Sequence, residues 1–495
     1  MQRNKILDYE QVLDKLNEIT SKGVITKDEI IGNTEYGLPI SQYLIGNGDR
    51  NIVITGATHG CEIITTDFIL NLMDDITNNY SEWKPYLKDY TIRFIPILNP
   101  EGYIISTSAI RKIIPRDMPL DEAEKICKKY YLYYKNDDLS EKDLKKHQEM
   151  FKDIDYTCIP DKYSKIRESI KNIFEKYPDL PKGCLQTWSA NGNGIDIQAN
   201  TEYNVNIEKM KQGATIPMKS SRQNNIDTSH PGPINCAFYS DSYDEKSQFK
   251  LEKETEAILN LLEHLNKENK LFGYLNYHST GGVIYQRPAI KPDNLNFSDQ
   301  TIGKNEIFNF ICSMVYANQA VRDKQKKTPY FISPFGDTSN DIENRQVRNS
   351  RANSTNDIIR LKHPLDLLIE LSAMGGNPIG PYGDINGNYN HTMSTNKAAL
   401  KQLLKYATIL DKISDECKDV FEKIDNSGKT DDEKYSKKMQ IMQYVYNEFI
   451  KRIEKIELEN QTGQKLETNA LDDRKMREAE ELDNKKKLKS GITRQ

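Results

Sequence analysis

Residues 51–62, Asn51-Ile-Val-Ile-Thr-Gly-Ala-Thr-His-Gly-Cys-Glu62, run from a continuous apolar stretch into a glycine-containing turn. Residues 51–57 read as a short buried strand, because an apolar run of that length bounded by a turn signal suits a strand covered on both faces. Residues 62–76 then repeat their apolar positions at helical spacing. Strand, tight turn and helix in that order form one unit of an α/β sheet. Working outward, a second apolar run at 92–98 ends in Asn99-Pro100-Glu101-Gly102, which reads as a turn. Residues 8–18 and 253–269 read as amphipathic helices, 271–277 as a further strand, and Leu365–Leu371 as the last strand. Strands alternating with helices predict an α/β fold: a sheet flanked by helices with crossover connections.

Two regions differ in texture. From about 110 to 185 the chain is rich in Lys, Glu and Tyr. A helical stretch at 119–135 and a Ser140-x-x-Asp143 helix start fall within it, and they predict a helical insertion between strands. The tyrosines at 130, 131, 133 and 134 read as a half-buried helix face. Beyond 400, Leu403, Tyr406, Leu410, Ile413, Cys417, Val420 and Ile424 fall at heptad spacing until Asn426-Ser427-Gly428 interrupts them. A second amphipathic stretch follows through Met442, Val445, Phe449, Ile453 and Ile456, so the expectation is a helical hairpin packed on the domain. The expected organisation is an N-terminal helix in 1–29, a catalytic domain over 30–410 with its 110–185 insertion, and a charged helical region over 411–495. The segment before residue 30 is too short for a propeptide to be expected.

Composition narrows the function classes. The 495 residues carry 69 Lys+Arg against 73 Asp+Glu, a net charge of −4, which argues against a dedicated nucleic-acid binder. No apolar run reaches the roughly 20 residues of a membrane helix, and no secretory signal is visible at the N-terminus. Seven scattered cysteines suit reduced thiols rather than a disulfide framework. A cytoplasmic protein with no membrane or nucleic-acid partner is expected.

The chemistry begins at His59-Gly60-Cys61-Glu62, where a strand gives way to a helix. A His and a Glu three residues apart on a tight turn can face one metal ion. His278 follows another strand, in Tyr277-His278-Ser279-Thr280-Gly281-Gly282. Two histidines and one carboxylate, with a fourth position left for water, form the ligand pattern of hydrolytic zinc. Glu370 stands inside the apolar strand Leu367-Leu368-Ile369-Glu370-Leu371. A lone carboxylate is costly to bury there and calls for either a partner or a chemical role.

From about Ile30 to Asp384 the chain resembles the zinc metallocarboxypeptidases related to carboxypeptidase A. The resemblance runs in order through Ile31–Ile40, His59 and Glu62, Asn99-Pro100-Glu101-Gly102-Tyr103, Trp188–Asn200, His278 and Glu370. It implies a carboxypeptidase-like mixed sheet with one zinc ion on His59, Glu62 and His278. It implies Glu370 as the catalytic base towards a zinc-activated water, and Asp196 as the carboxylate that orients the first histidine. The implied substrate is a peptide or peptide-like amide.

The sequence departs from that family where the substrate carboxylate is clamped. The Asn-Arg pair falls on Gln198-Ala199, the arginine after the tryptophan on Ser189, and the arginine of the first zinc motif on Cys61. The family tyrosine has no match in Gln346–Arg351. Neither Gln nor Ala offers the bidentate fork of a guanidinium. Arg287, Arg348 and Arg351 are candidates to replace it, and Asn356 stands where the family sets side-chain preference. Four readings follow: a carboxypeptidase with a rebuilt clamp, a zinc amidase acting on cell-wall peptides or acyl-amino acids, a zinc-binding peptide-binding module, and a metal-free pseudoenzyme. Retention of Glu370 beside the ligands disfavours the last two. The sequence leaves the oligomeric state open.

Overall fold

The computed structural model describes residues 6–116, 153–176, 184–198, 251–279, 283–285, 331–333, 365–371 and 389–430, with isolated positions between and after these segments. Among them, eight strands form one mixed sheet. In chain order they are β1 (Thr26–Asn33), β2 (Pro39–Gly46), β3 (Arg50–Thr55), β4 (Tyr90–Ile95), β5 (Leu271–Ser279), β6 (Val283–Tyr285), β7 (Phe331–Ser333) and β8 (Leu365–Leu371). Their order across the sheet is β1-β2-β4-β3-β5-β8-β6-β7. The central four, β4, β3, β5 and β8, are mutually parallel, while β1, β2 and β4 pair antiparallel and β6 runs antiparallel to β8. The expected strands are present in the apolar runs that predicted them. β1 and β2 were not read as strands; β1 is mostly exposed and carries Lys27, Asp28 and Glu29, the charged dressing of a sheet edge.

The flanking helices are α1 (Tyr9–Ser21), α2 (Ile63–Asn78), α3 (Tyr80–Trp83), α4 (Pro100–Arg111), α5 (Ser164–Lys176), α6 (Lys253–Lys267) and α7 (Tyr389–Asp425). Asp8 and Gln11 close a reciprocal capping box at the start of α1. On one face of the sheet, Ala257, Ile258, Leu262 and Leu265 of α6 pack with Val53, Ile95 and Tyr274. Side chains alternate along a strand, so Tyr277 of β5 points to the opposite face, where its ring lies 4.7 Å from Phe68 of α2. α2 is buried along nearly its whole length. Each fully buried side chain of this kind contributes about 1.5–3 kcal/mol relative to exposure. Helices on both faces leave the carboxyl ends of the parallel strands as the place where a site can open.

The structure corrects one local expectation. Asn99-Pro100-Glu101-Gly102 is a helix start rather than a turn: Gly102 N–H donates to the Asn99 side chain at 2.8 Å, and Pro100 occupies the first helical position, where no N–H is needed. Two expected boundaries also fall inside elements. β1 begins within the 1–29 segment, and α7 runs uninterrupted through residue 410 before ending at Asp425. The chain divides into two compact units, Met1–Met442 and Gln443–Gln495. Most of 119–135, the tyrosines at 130–134 and most of the second C-terminal helical stretch lie outside the described residues. No described helix is long and apolar enough to cross a membrane.

Candidate metal centre

The turn that leaves β3 is held from several directions. Ala57 has a left-handed φ of 45°, a conformation costing a residue with a Cβ about 1–2 kcal/mol. Ala57 N–H donates to Thr65 Oγ1 at 2.7 Å, and Ala57 O accepts from Asn99 N–H at 3.1 Å. Asn99 Nδ2 also reaches Thr58 O and Ala190 O, so one buried side chain ties the turn to the start of α4 and to the 188–198 segment. Gly60 sits directly against Gly102; a Cβ on Gly60 would lie 2.0 Å from the Gly102 carbonyl carbon. This packing fixes the backbone on both sides of His59.

His59, Glu62 and His278 come together, and they form the one group of three or more potential metal ligands among the described residues. His59 Nδ1 lies 2.8 Å from Glu62 Oε1, His278 Nδ1 lies 3.0 Å from Glu62 Oε2, and the two Nδ1 atoms are 3.3 Å apart. Zinc bonds of about 2.0–2.1 Å at tetrahedral angles place ligand atoms about 3.3 Å from each other, so these spacings fit. On its other side, His59 Nε2 meets Asp196 Oδ1 at 3.1 Å. We assign the ring proton to Nε2, donated to Asp196, which turns the Nδ1 lone pair towards Glu62 and His278. Lone pairs and a carboxylate converging at this range suit a shared cation. Glu62 and His278 are buried and His59 nearly so. His278 Nε2 is buried without a hydrogen-bond partner.

The electrostatics agree with a cation site. Burial alone would lower the His59 pKa, but the charges of Glu62 and then Asp196 hold it well above the ordinary value. Burial alone would raise Glu62, yet His59 and His278 bring its carboxyl down to about 2. The donor set therefore fits zinc in both geometry and charge.

Glu370 is placed by register. In the parallel β5–β8 pair, His278 is the partner of Glu370 and Ser279 of Leu371. Paired residues on adjacent strands share a face about 4.8 Å apart, so Glu370 stands beside the candidate ligand His278, half-buried at the carboxyl end of β8. Gln198 is buried, and its Oε1 accepts from Asn276 Nδ2 at 2.9 Å, an orientation towards the sheet. Arg287, Arg348, Arg351 and Asn356 lie outside the described residues.

Two buried asparagines escaped the sequence reading. Asn276 Oδ1 accepts from Thr55 and Thr58 hydroxyls at 3.0 Å each, which joins the ends of β3 and β5. Its position inside the apolar run 271–277 is the same signal that singled out Glu370. Asn191 organises the loop before Asp196; the repeated Asn-Gly of residues 191–194 is a turn signal that the sequence reading left unused and that does not reveal its partners.

Comparison with known proteins places these observations in a family. A 103-residue stretch, 19% of this chain, is 27% identical to gamma-D-glutamyl-L-diamino acid endopeptidase 1 of Lysinibacillus sphaericus and spans 26% of that relative's length. Among solved structures, the chain is similar to bovine thrombin-activatable fibrinolysis inhibitor in complex with tick carboxypeptidase inhibitor. That match has a TM-score of 0.46 and 14% identity, and covers 82% of this chain and 98% of that one. It is also similar to carboxypeptidase A from Helicoverpa armigera, with a TM-score of 0.45, 12% identity, and coverage of 82% and 73%. The family model described as zinc carboxypeptidase matches residues 9–472. This chain belongs to the zinc carboxypeptidase family.

Proposed function

We propose that the protein hydrolyses an amide bond with one zinc ion held by His59 Nδ1, His278 Nδ1 and the Glu62 carboxylate, and with Glu370 as the catalytic base. The observation that carries this reading is the pairing of Glu370 with His278 across β5 and β8. When bound there, zinc would supply the Lewis acidity that polarises a carbonyl and acidifies water. Glu370 accepts the proton of the attacking water and delivers it to the leaving nitrogen, a role that its half-buried place at the carboxyl end of β8 suits. Asp196 keeps the His59 proton on Nε2 and Nδ1 free to ligate.

The substrate side favours an amide other than that of an ordinary C-terminal residue. Gln198-Ala199 and Ser189 offer no guanidinium, and the Gln198 amide is engaged with Asn276. A bidentate contact to a terminal carboxylate is therefore missing at these positions. The name of the Lysinibacillus relative points to γ-D-glutamyl peptides of diamino acids. Arg287, Arg348 and Arg351 are proposed as substrate contacts and Asn356 as part of the side-chain pocket. The test is hydrolysis of a panel pairing γ-D-glutamyl-diamino acid peptides with ordinary α-linked peptides, followed by mass spectrometry, with Glu370→Gln as the control. Cleavage at the γ-glutamyl amide, lost in the control, is expected. Release of single residues from ordinary C-termini would instead establish a carboxypeptidase whose clamp is rebuilt from the three arginines.

A further inference from the structure

The loop that delivers Asp196 to His59 is folded around one side chain. Asn191 Oδ1 accepts the backbone N–H groups of Asn193 at 3.0 Å and Ile195 at 3.1 Å. Its backbone N–H donates to Ile195 O at 2.9 Å, and its carbonyl accepts from Gly194 N–H and from Trp188 Nε1. Gly194 completes the turn with a φ of +80°, the left-handed conformation glycine adopts without penalty. The two backbone donors fix the amide's orientation, so Nδ2 must point away from the loop. There it donates to Glu252 Oε2 at 2.8 Å and Glu254 Oε2 at 3.3 Å.

Glu252 stands at the N-cap position of α6 and binds the same segment a second time, because its own N–H donates to Asn200 Oδ1 at 2.7 Å. Thr255 of α6 donates to Ile197 O at 3.0 Å. Asn193 Nδ2 donates to the same Glu252 Oε2 at 2.8 Å. Asp196 thus lies between ties to the start of α6, through Asn191 and Asn193 before it and through Ile197 and Asn200 after it. Asp196 Oδ1 accepts from Gln198 N–H at 2.9 Å as well as facing His59. Asn191 itself is fully buried and does not belong to the ligand group.

We propose that Asn191 is a positioning residue for the metal centre: through its bond to Glu252 it sets the place of Asp196, and through Asp196 the orientation of His59. This rests on the zinc reading above. Asn191→Asp is the informative variant, since it keeps the volume and the acceptor for the loop N–H groups but replaces the donor to Glu252 with a carboxylate oxygen. The second change, Glu252→Gln, supplies a donor from the opposite side; Asn193, whose Nδ2 donates to the same Glu252 oxygen, meets that donor by turning its amide, since the Tyr36 hydroxyl on its other side can accept as well as donate.

The experiment measures zinc affinity by chelator competition and the visible spectrum of the cobalt-substituted protein. It compares wild type, Asn191→Asp, Asn191→Asp with Glu252→Gln, and His278→Ala. Loss of a partner that orients a metal-bound histidine costs about 10–100-fold in affinity, and Asn191→Asp is expected at about tenfold with an altered cobalt spectrum. The double variant is expected to return towards wild type in both. Wild-type affinity and spectrum in Asn191→Asp would overturn the proposal, as would a loss that Glu252→Gln does not repair. If Asn191→Asp does not fold, Asn191→Ala, which has no donor to Glu252, is judged by the same affinity and spectrum. A wild-type protein no better than His278→Ala at holding zinc would strike the zinc reading itself, a distinct result.

Discussion

Glu101, Glu252 and Glu254 are three buried carboxylates that meet amide and backbone donors, with no basic side chain paired to them among the described residues. Burial raises the Glu254 pKa well above its ordinary 4.5, and the charge of Glu101 raises it further. The sign of the consequence follows. Below 4.5 the carboxyl is neutral in both folded and unfolded chains. As pH rises through 4.5 the unfolded chain releases the proton and the folded chain does not, so stability is lost until the raised folded value is reached. Glu254→Gln removes this dependence. The variant's stability relative to wild type should therefore increase as pH rises above about 5, measured by urea denaturation. A difference that stays constant over that range would contradict the assignment. Nothing in the local sequence marks Glu254, which reads as one more charge at the start of an amphipathic helix; only the fold buries it.

The start of α4 and the turn after β3 are a matched pair of elements that meet through glycines. Asn99 caps α4 and reaches back to the turn, while Gly60 and Gly102 allow the two backbones to touch. Gly60→Ala would drive a Cβ into the Gly102 carbonyl at 2.0–2.3 Å, against backbone that cannot rotate away. A loss of about 1–3 kcal/mol is expected, the scale of an overpacked interior, together with weaker zinc binding. Urea unfolding with and without zinc measures both, and unchanged stability would refute the contact. The sequence reading of Asn99-Pro100-Glu101-Gly102 as a turn recognised the right punctuation but not the helix behind it. An N-cap and a turn share the same residue types, and the next three residues, Tyr-Ile-Ile, do not separate helix from strand.

Across the whole molecule, what was legible in the sequence is what burial dictates. The central parallel strands are continuous apolar runs because both faces are covered, and α2 and α6 follow at helical spacing. β1 escaped because an exposed edge strand has little apolar signal to read. The candidate ligands were visible because a histidine or glutamate beside a strand end stands out, and Asp196 was proposed by resemblance. Asn191 and Asn276 were not, since their roles depend on partners about 60 to 220 residues away, brought close only by the sheet. The three candidate arginines and Asn356 remain proposals on sequence alone. The decisive measurement is zinc content and turnover in parallel on wild type, His278→Ala and Glu370→Gln. Wild type should hold one zinc per chain, His278→Ala should lose it, and Glu370→Gln should keep it while turnover falls by about 10²–10⁴-fold. Turnover in Glu370→Gln at the wild-type rate, or a wild-type chain without zinc affinity, would contradict the assignment.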